Sequence, residues 1–152
     1  MAIRCYIPTT LSALETAVDS GYAVAPDAEA RGLRGEEGEA KEFDALCIAA
    51  ALAATEALEG RDGSAPPSPR AVVAFDAPET CPREMLIEGF ELVRLERLDP
   101  SAMVSIHVDE PDVWERAVAV AEAEGLEAAE DHLGDSDLLW YDVTELPDLL
   151  RP

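Results

Sequence analysis

Three apolar segments of the sequence are each followed at once by side chains suited to acid–base or metal chemistry. Thr9 and Thr10 follow the first segment, Asp76 follows the second, and His107 and Asp109 close the third. In a strand, His107 and Asp109 share one face, so the carboxylate could orient the imidazole as a general base or share a divalent cation with it. If the three strands are parallel neighbours, their carboxyl ends converge and form a ligand pocket.

An ordinary structural role accounts for the same residues. Threonine and aspartate at strand-to-helix junctions are most often helix caps, and a single histidine on the polar face of a strand is usually solvated or hydrogen-bonded. These five residues are therefore weak candidates for catalysis, and no catalytic residue is assigned.

A second group of polar side chains includes Asp131, His132 and Asp135, within a run that is rich in acids. Its oxygen atoms would suit calcium or manganese, but the spacing and central glycine of an EF-hand loop are missing. A solvated acidic loop is the simpler interpretation. No glycine-rich phosphate-binding loop is present, and the sequence predicts no cofactor.

Aromatic and leucine side chains near the end of the sequence form a third group of candidates. They are weak candidates for binding a protein partner. Core packing explains the same spacing, and the closing segment could dock on its own domain or on another chain. The residues are Trp140, Tyr141, Leu146, Leu149 and Leu150.

The charge of the chain restricts its partners. The sequence contains ten Arg and a single Lys but 33 acidic residues, which gives a net charge of −22. Such a surface repels phosphate backbones and anionic membranes, so we expect neither direct nucleic-acid binding nor membrane binding. Solubility, or adaptation to salt, explains the acidity most simply, and an acidic mimic of nucleic acid is the alternative.

The cysteines indicate a reducing compartment. Cys5, Cys47 and Cys81 are odd in number and far apart, and they form neither a CxxC motif nor a zinc-type spacing. The apolar run at the N-terminus is too short for a signal peptide, and the longest uncharged run is about half of what a membrane span requires. We therefore expect a cytoplasmic protein.

The elements that position these residues follow from the periodicity of apolar side chains. The central prediction is a long helix over residues 39–60, whose ALCIAAALAA core indicates burial on all sides, with a stripe through Phe43, Leu46 and Cys47. A second helix is predicted over residues 111–124, because Pro111 begins it and Gly125 ends it. A helix from Thr9 to about residue 20 and a short closing helix after Thr144 complete the set.

Strands are predicted from alternating or continuous apolar runs. Residues 80–89 fit either a helical turn or an inward-packing loop, and residues 126–137 read as an acidic, turn-rich segment. A Pro/Gly-rich connector at 60–70 divides the two halves of one domain, residues 1–152. The predicted strands are residues 2–7, 71–75, 90–97, 103–108 and 138–141, with a short extended piece at 22–25.

Three motifs resemble those of a known family. RCYIPTTL near the start, SIHVDE before the second helix, and LLWYDVTELPDLL near the end look like a family of short acidic actinobacterial proteins that is known only as a domain of unknown function. The resemblance covers about a quarter of the chain. It implies a cytoplasmic actinobacterial protein and supplies no activity, cofactor or catalytic residue.

Together these features predict one α+β domain with a mixed sheet of about four or five strands packed against the long helix. The function is unknown from sequence, and our first hypothesis is a small non-enzymatic interaction or regulatory protein with an unidentified protein partner. The alternative is a small enzyme or a ligand- or metal-binding protein with a site around His107, Asp109 and Asp76.

Overall fold

A computed structural model of the protein describes residues 2–15, 21–60, 66–96 and 98–150. The strands are β1 (Ala2–Thr10), β2 (Gly21–Pro26), β3 (Arg70–Pro78), β4 (Arg83–Ile87), β5 (Phe90–Leu95), β6 (Met103–Asp109) and β7 (Leu138–Asp142). The helices are α1 (Ala28–Arg31), α2 (Glu36–Glu59), α3 (Pro111–Glu124), α4 (Leu126–Gly134) and α5 (Leu146–Leu149). Short 3-10 helices lie at Ser12–Glu15, Pro100–Ala102 and Val143–Glu145.

The described strands form one seven-stranded sheet in the order β4-β5-β2-β1-β3-β6-β7. Every neighbouring pair is antiparallel. The predicted α+β class is confirmed, whereas the mixed sheet of four or five strands is wrong in both strand number and direction. Part of the difference is β4, which lies where the sequence was ambiguous between a helical turn and a loop.

The direction of β7 follows from the helices before it. A single helix between strands carries the chain to the far end of a sheet, but α3 and α4 pack together as a pair and return it. Leu138, the first residue of β7, consequently lies opposite Asp109, the last residue of β6. The predicted turn-rich segment at 126–137 is wrong for residues 126–134, which form α4; Gly125, with a φ of 101°, makes the sharp turn that separates it from α3.

Helix α2 crosses one face of the sheet on its alanines. Its fully buried positions recur every four residues, so they form one face whose small side chains let the helix backbone lie close to the strands. The Tyr6 hydroxyl on β1 donates a 2.8 Å hydrogen bond to Glu42 and ties the helix to the sheet. These buried positions are Ala45, Ala49, Ala53 and Ala57.

Burial of α2 on all sides is the prediction that the structure corrects most clearly. Phe43 is 54% exposed and Leu52 is 40% exposed, and Cys47 is also exposed. The apolar stripe that runs through Phe43 and Cys47 is therefore partly exposed to solvent. The sheet packs against the alanine face of the helix instead.

The opposite face of the sheet is the other half of the core. Ile3, Cys5, Val73 and Phe75 are buried there, in a cluster that continues to Ile106 and its neighbours under the C-terminal α5. Each buried side chain of this size removed from water contributes about 1.5–3 kcal/mol of hydrophobic stabilisation.

The remaining predictions concern ends of elements. Helix α3 covers the predicted residues 111–124, and α2 begins slightly before residue 39. The predicted helix from Thr9 is wrong at its start, since β1 continues through Thr10 and is followed by a 3-10 helix. Residues 16–20 of that predicted helix lie outside the described part of the chain, as do residues 61–65 of the predicted connector.

Candidate functional site

The carboxyl end of β6 holds a buried ion pair that the sequence did not predict. The Arg70 guanidinium donates from Nη2 to Asp109 Oδ1 at 2.9 Å and from Nε to both carboxylate oxygens at 3.1 and 3.2 Å. The backbone N–H of Arg70 donates to Asp109 Oδ2 at 2.8 Å. Both side chains are excluded from water, with 2% and 0% exposure.

Arg70 also joins two helices to the sheet. Its Nη2 donates to the carbonyl of Leu133 in α4 at 3.0 Å, and Nη1 lies 3.4 Å from the carbonyl of Ala50 in α2. A desolvated charge is stable only when such partners satisfy it. Asp109 is therefore engaged in a structural contact, and its oxygens accept from Arg70 rather than from His107.

His107 lies on the same face of β6 as Asp109, as predicted, about 7 Å along the strand. Its Nε2 lies 2.9 Å from the Ser105 hydroxyl. Partial burial lowers the pKa of the imidazole, because the charged form loses solvation. The neutral ring is consequently favoured, with a serine rather than a carboxylate as its hydrogen-bond partner.

The two threonines lie near the ion pair but face different sides of the sheet. Thr10 lies opposite Arg70 in the β1–β3 ladder, and its hydroxyl accepts from the backbone N–H of Ala13 at 3.3 Å. Thr9 is buried and points to the other face. Thr10 thus acts as a cap for the 3-10 turn that follows β1.

Asp76 does not join this group. Since β3 runs antiparallel to β1 and β6, Asp76 lies at the far end of β3, about 20 Å along the strand from Arg70. There it accepts a 2.6 Å bond from Arg4 Nε. The prediction of three parallel neighbouring strands is wrong. The carboxyl ends of β1 and β6 lie at the same end of the sheet, but β3, between them, runs in the opposite direction and begins there with Arg70.

The acidic run around His132 is mostly helical. Asp131 and His132 lie in α4 and Asp135 directly follows it. Among the described residues, no group of three or more His, Cys, Asp or Glu side chains is arranged to hold a metal ion. His132 Nε2 is buried without a hydrogen-bond partner.

A cleft of about 160 Å³ opens between α2 and the start of β7. Its walls are mainly apolar, with the Arg70 side chain at one side. Partial burial raises the pKa of the Cys47 thiol, and the nearby carboxylates of Asp44 and Asp137 raise it further. The principal lining residues are Phe43, Leu46, Cys47, Leu133, Asp137 and Leu138.

The proposed partner-binding residues divide into two groups. Trp140 is 63% exposed on β7, opposite His107, and so lies on the face of the sheet that carries α2. Tyr141, Leu146 and Leu149 pack against the buried cluster on the other face, and Leu150 is half-buried. The closing segment therefore docks on its own domain, which leaves Trp140 as the accessible member.

Comparison with known families assigns the chain to a family. The model of a family of unknown function, DUF6912, matches residues 3–150. The chain belongs to this family. Arg70, Asp109 and Trp140 all lie within the matched DUF6912 region, which spans almost the whole chain.

Other comparisons add no function to the DUF6912 assignment. Neither a curated protein nor a solved structure matches the chain. In the described segments, no helix combines the length and apolar character needed to cross a membrane.

Proposed function

We propose that this DUF6912 protein is a non-enzymatic interaction or regulatory protein that binds a protein partner around Trp140. The observation that carries the proposal is the exposure of Trp140, a large aromatic side chain on an edge strand, two residues after Leu138, which lines an apolar cleft. Partly exposed tryptophans next to pockets are frequent anchors of protein interfaces.

The surface around Trp140 has the mixed character of an interface. We call Phe43, Cys47, Leu138 and Trp140, with the cleft that the first three of them line, the α2–β7 surface. Phe43 and Trp140 supply exposed aromatic area, and Asp137 supplies charge at the rim. Interfaces typically combine an apolar centre with a polar rim.

A binding role also agrees with the contacts of the candidate chemical residues. Asp109 accepts from Arg70, Asp76 accepts from Arg4, and the partner of His107 is Ser105. Each of these side chains is engaged in a contact that supports the fold, whereas Trp140 projects into solvent.

A small apolar ligand in the cleft is a second candidate function. A dry cavity of about 150 Å³ lined by aliphatic and aromatic side chains can bind a single aromatic ring. The cleft has a similar volume, about 160 Å³. This candidate predicts that a ring-sized apolar compound raises the melting temperature of the wild type and has less effect on a Leu46→Trp variant, in which the cleft is filled.

The test of the interaction proposal is affinity capture from extract of cells that naturally produce the protein. Trp140→Ala should lose a partner that wild type retains. Met85→Ala is the matched control, since Met85 is 80% exposed on the other edge strand, β4. Circular dichroism should show both variants folded. Retention of every wild-type partner by folded Trp140→Ala would contradict the proposal.

A further inference from the structure

The two edges of the sheet differ in how well they are protected. On β4 the pairing with β5 is broken by a register shift between Met85 and Ile87. Glu84 pairs with Arg94 at 3.3 Å. Bulges and charged side chains are the usual means by which proteins prevent an edge strand from pairing with another chain.

Strand β7 has no register shift, and its one charged residue is Asp142, at its end. Its five residues pair with β6 in unbroken register, from Asp109↔Leu138 to Ser105↔Asp142. It contains neither Lys nor Pro, and Leu139 and Trp140 are both exposed. Within the described residues β7 pairs only with β6, so its outer side presents backbone groups to which an extended chain can bind.

The acidic residues around β7 determine which charge a bound chain should carry. From Ala117 to Leu150 the sequence contains ten acidic residues and no Lys or Arg. Asp137 lines the cleft, and Asp44 and Asp137 both lie near Cys47. Neither forms an ion pair with a described basic residue. A basic segment would be attracted to this region, and an acidic one would be repelled.

The same charge argues against a second copy of the chain. Pairing of β7 with β7 of another molecule would bring two of these acidic regions together, in a chain of net charge −22. Like charges brought together across an interface cost several kcal/mol. The occupant that fits is therefore a different, positively charged polypeptide.

We propose that β7 accepts an extended basic peptide segment of a protein partner as an eighth strand. The inference rests on the proposed interaction function and specifies its partner. Backbone hydrogen bonds to β7 provide affinity, and alternate apolar side chains of the peptide pack on Leu138 and Trp140, with one of them entering the adjacent cleft. Arginine or lysine at the other positions supplies the positive charge that the acidic region around β7 attracts.

The first experiment uses a defined probe. A fluorescein-labelled peptide of about seven residues, alternating arginine and leucine, is titrated with the full chain and followed by fluorescence anisotropy. A peptide with glutamate in place of arginine tests the charge. A peptide of the same composition in scrambled order tests the alternation. Affinity for the arginine probe should fall between about 0.05 and 0.5 M salt, because exposed charges are screened.

Two N-methylated forms of the probe test the strand pairing itself. In one form every leucine nitrogen is methylated, and in the other every arginine nitrogen, which removes the donors from opposite edges of an extended peptide. One form should bind at least about tenfold more weakly than the other, since only one edge of the peptide faces β7. Equal affinity of the two forms and of the scrambled peptide would mean electrostatic attraction alone and would overturn the proposal.

Variants of the protein locate the site. Trp140→Ala should lower the affinity for the arginine probe by about thirtyfold, the effect of losing an interface hot spot. Met85→Ala should leave that affinity unchanged. No binding of the arginine probe at about 1 mM would overturn the peptide proposal, as would stronger binding of the glutamate peptide. So would sedimentation as a dimer that Trp140→Ala converts to a monomer, because the occupant would then be a second copy.

Failure of this inference is distinguishable from failure of the proposed function. If the probe does not bind but Trp140→Ala still loses a captured partner, the interaction role stands and the strand mode is wrong. If the probe binds as expected but Trp140→Ala retains every captured partner, the α2–β7 surface binds such peptides without accounting for the natural interaction.

Discussion

Arg70 and Asp109 form an ion pair closed to solvent, and the arginine that completes it begins β3 while the aspartate ends β6, 39 residues later in the chain. The pair closes the end of the ladder between the two strands. Through Leu133 it also holds α4 against the sheet. Asp109, which the sequence offered as a candidate for chemistry, is therefore part of the scaffold.

Removal of one partner should cost more than removal of both. Asp109→Ala leaves a buried guanidinium without its counter-charge and should lower the free energy of unfolding by about 3–5 kcal/mol. A double variant, Arg70→Met with Asp109→Leu, should recover a large part of that loss. Urea denaturation followed by circular dichroism measures both.

Asp76→Ala is the control for this comparison. Asp76 also accepts from an arginine, Arg4, but these side chains are 37% and 40% exposed. The loss should stay within about 1 kcal/mol. If Asp109→Ala were no more costly than Asp76→Ala, the buried pair would not have the structural role described.

The alanine face of α2 predicts a sharp contrast within one helix. Ala49 is fully buried against the sheet, and Leu52 is exposed. Ala49→Asp should cost more than about 4 kcal/mol, because it places an unpaired charge in the core, whereas Leu52→Asp should stay within about 1 kcal/mol. A soluble, cooperatively folded Ala49→Asp variant of near wild-type stability would show that the helix does not pack on this face.

His107 predicts a component of the pH dependence of stability. Its pKa is lower in the folded protein than the ordinary value of 6.5, so the unfolded chain binds the proton first as the pH falls. The contribution to stability is complete above that value and is lost as the pH falls from 6.5 through the lowered pKa.

His107→Gln removes this titration and keeps a polar group near Ser105. The difference in unfolding free energy between wild type and variant should therefore change in favour of the variant as the pH is lowered below 6.5. A difference independent of pH over that interval would mean that the imidazole is not desolvated.

The cysteines predict selective reaction with alkylating reagents. Burial raises the pKa of the Cys5 thiol to about 12, and the thiol donates to the carbonyl of Phe75 at 3.4 Å. Cys47 is exposed. In a Cys81→Ser background, iodoacetamide at about pH 8 should modify Cys47 in the native protein and Cys5 only after unfolding.

A Cys47→Ser variant in the same background identifies the reacting residue by mass spectrometry. Native labelling should then disappear. Modification of Cys5 at the rate of Cys47 would contradict the burial of β1 in the core.

The parts of the fold that were predictable depend on local patterns. Alternation at Ile3 and Cys5 marks a strand with one buried face, and Pro111 with Gly125 marks the ends of α3. The predictions that were wrong depend on contacts between residues far apart in the sequence. The direction of β7 depends on α4, whose acidic sequence with few large apolar residues gave only a weak helical pattern, since it packs through Ala129 and Leu133.

The site was predictable to a similar extent. The shared face of His107 and Asp109 follows from strand periodicity. The partner of Asp109 does not, because in the sequence Arg70 looks like any polar residue at the start of an apolar run. The sequence does contain one indication of the buried pair. An arginine and an aspartate that each border an apolar strand, with no local partner, are candidates for a buried pair.

The unequal edges of the sheet also limit how molecules of this protein can assemble. Head-to-tail growth by strand pairing needs two compatible edges, so that each added copy offers a fresh one. The register shift in β4 removes one of them. Even at high concentration, addition at β7 would therefore terminate after one step, and filaments built by continuing the sheet should not form.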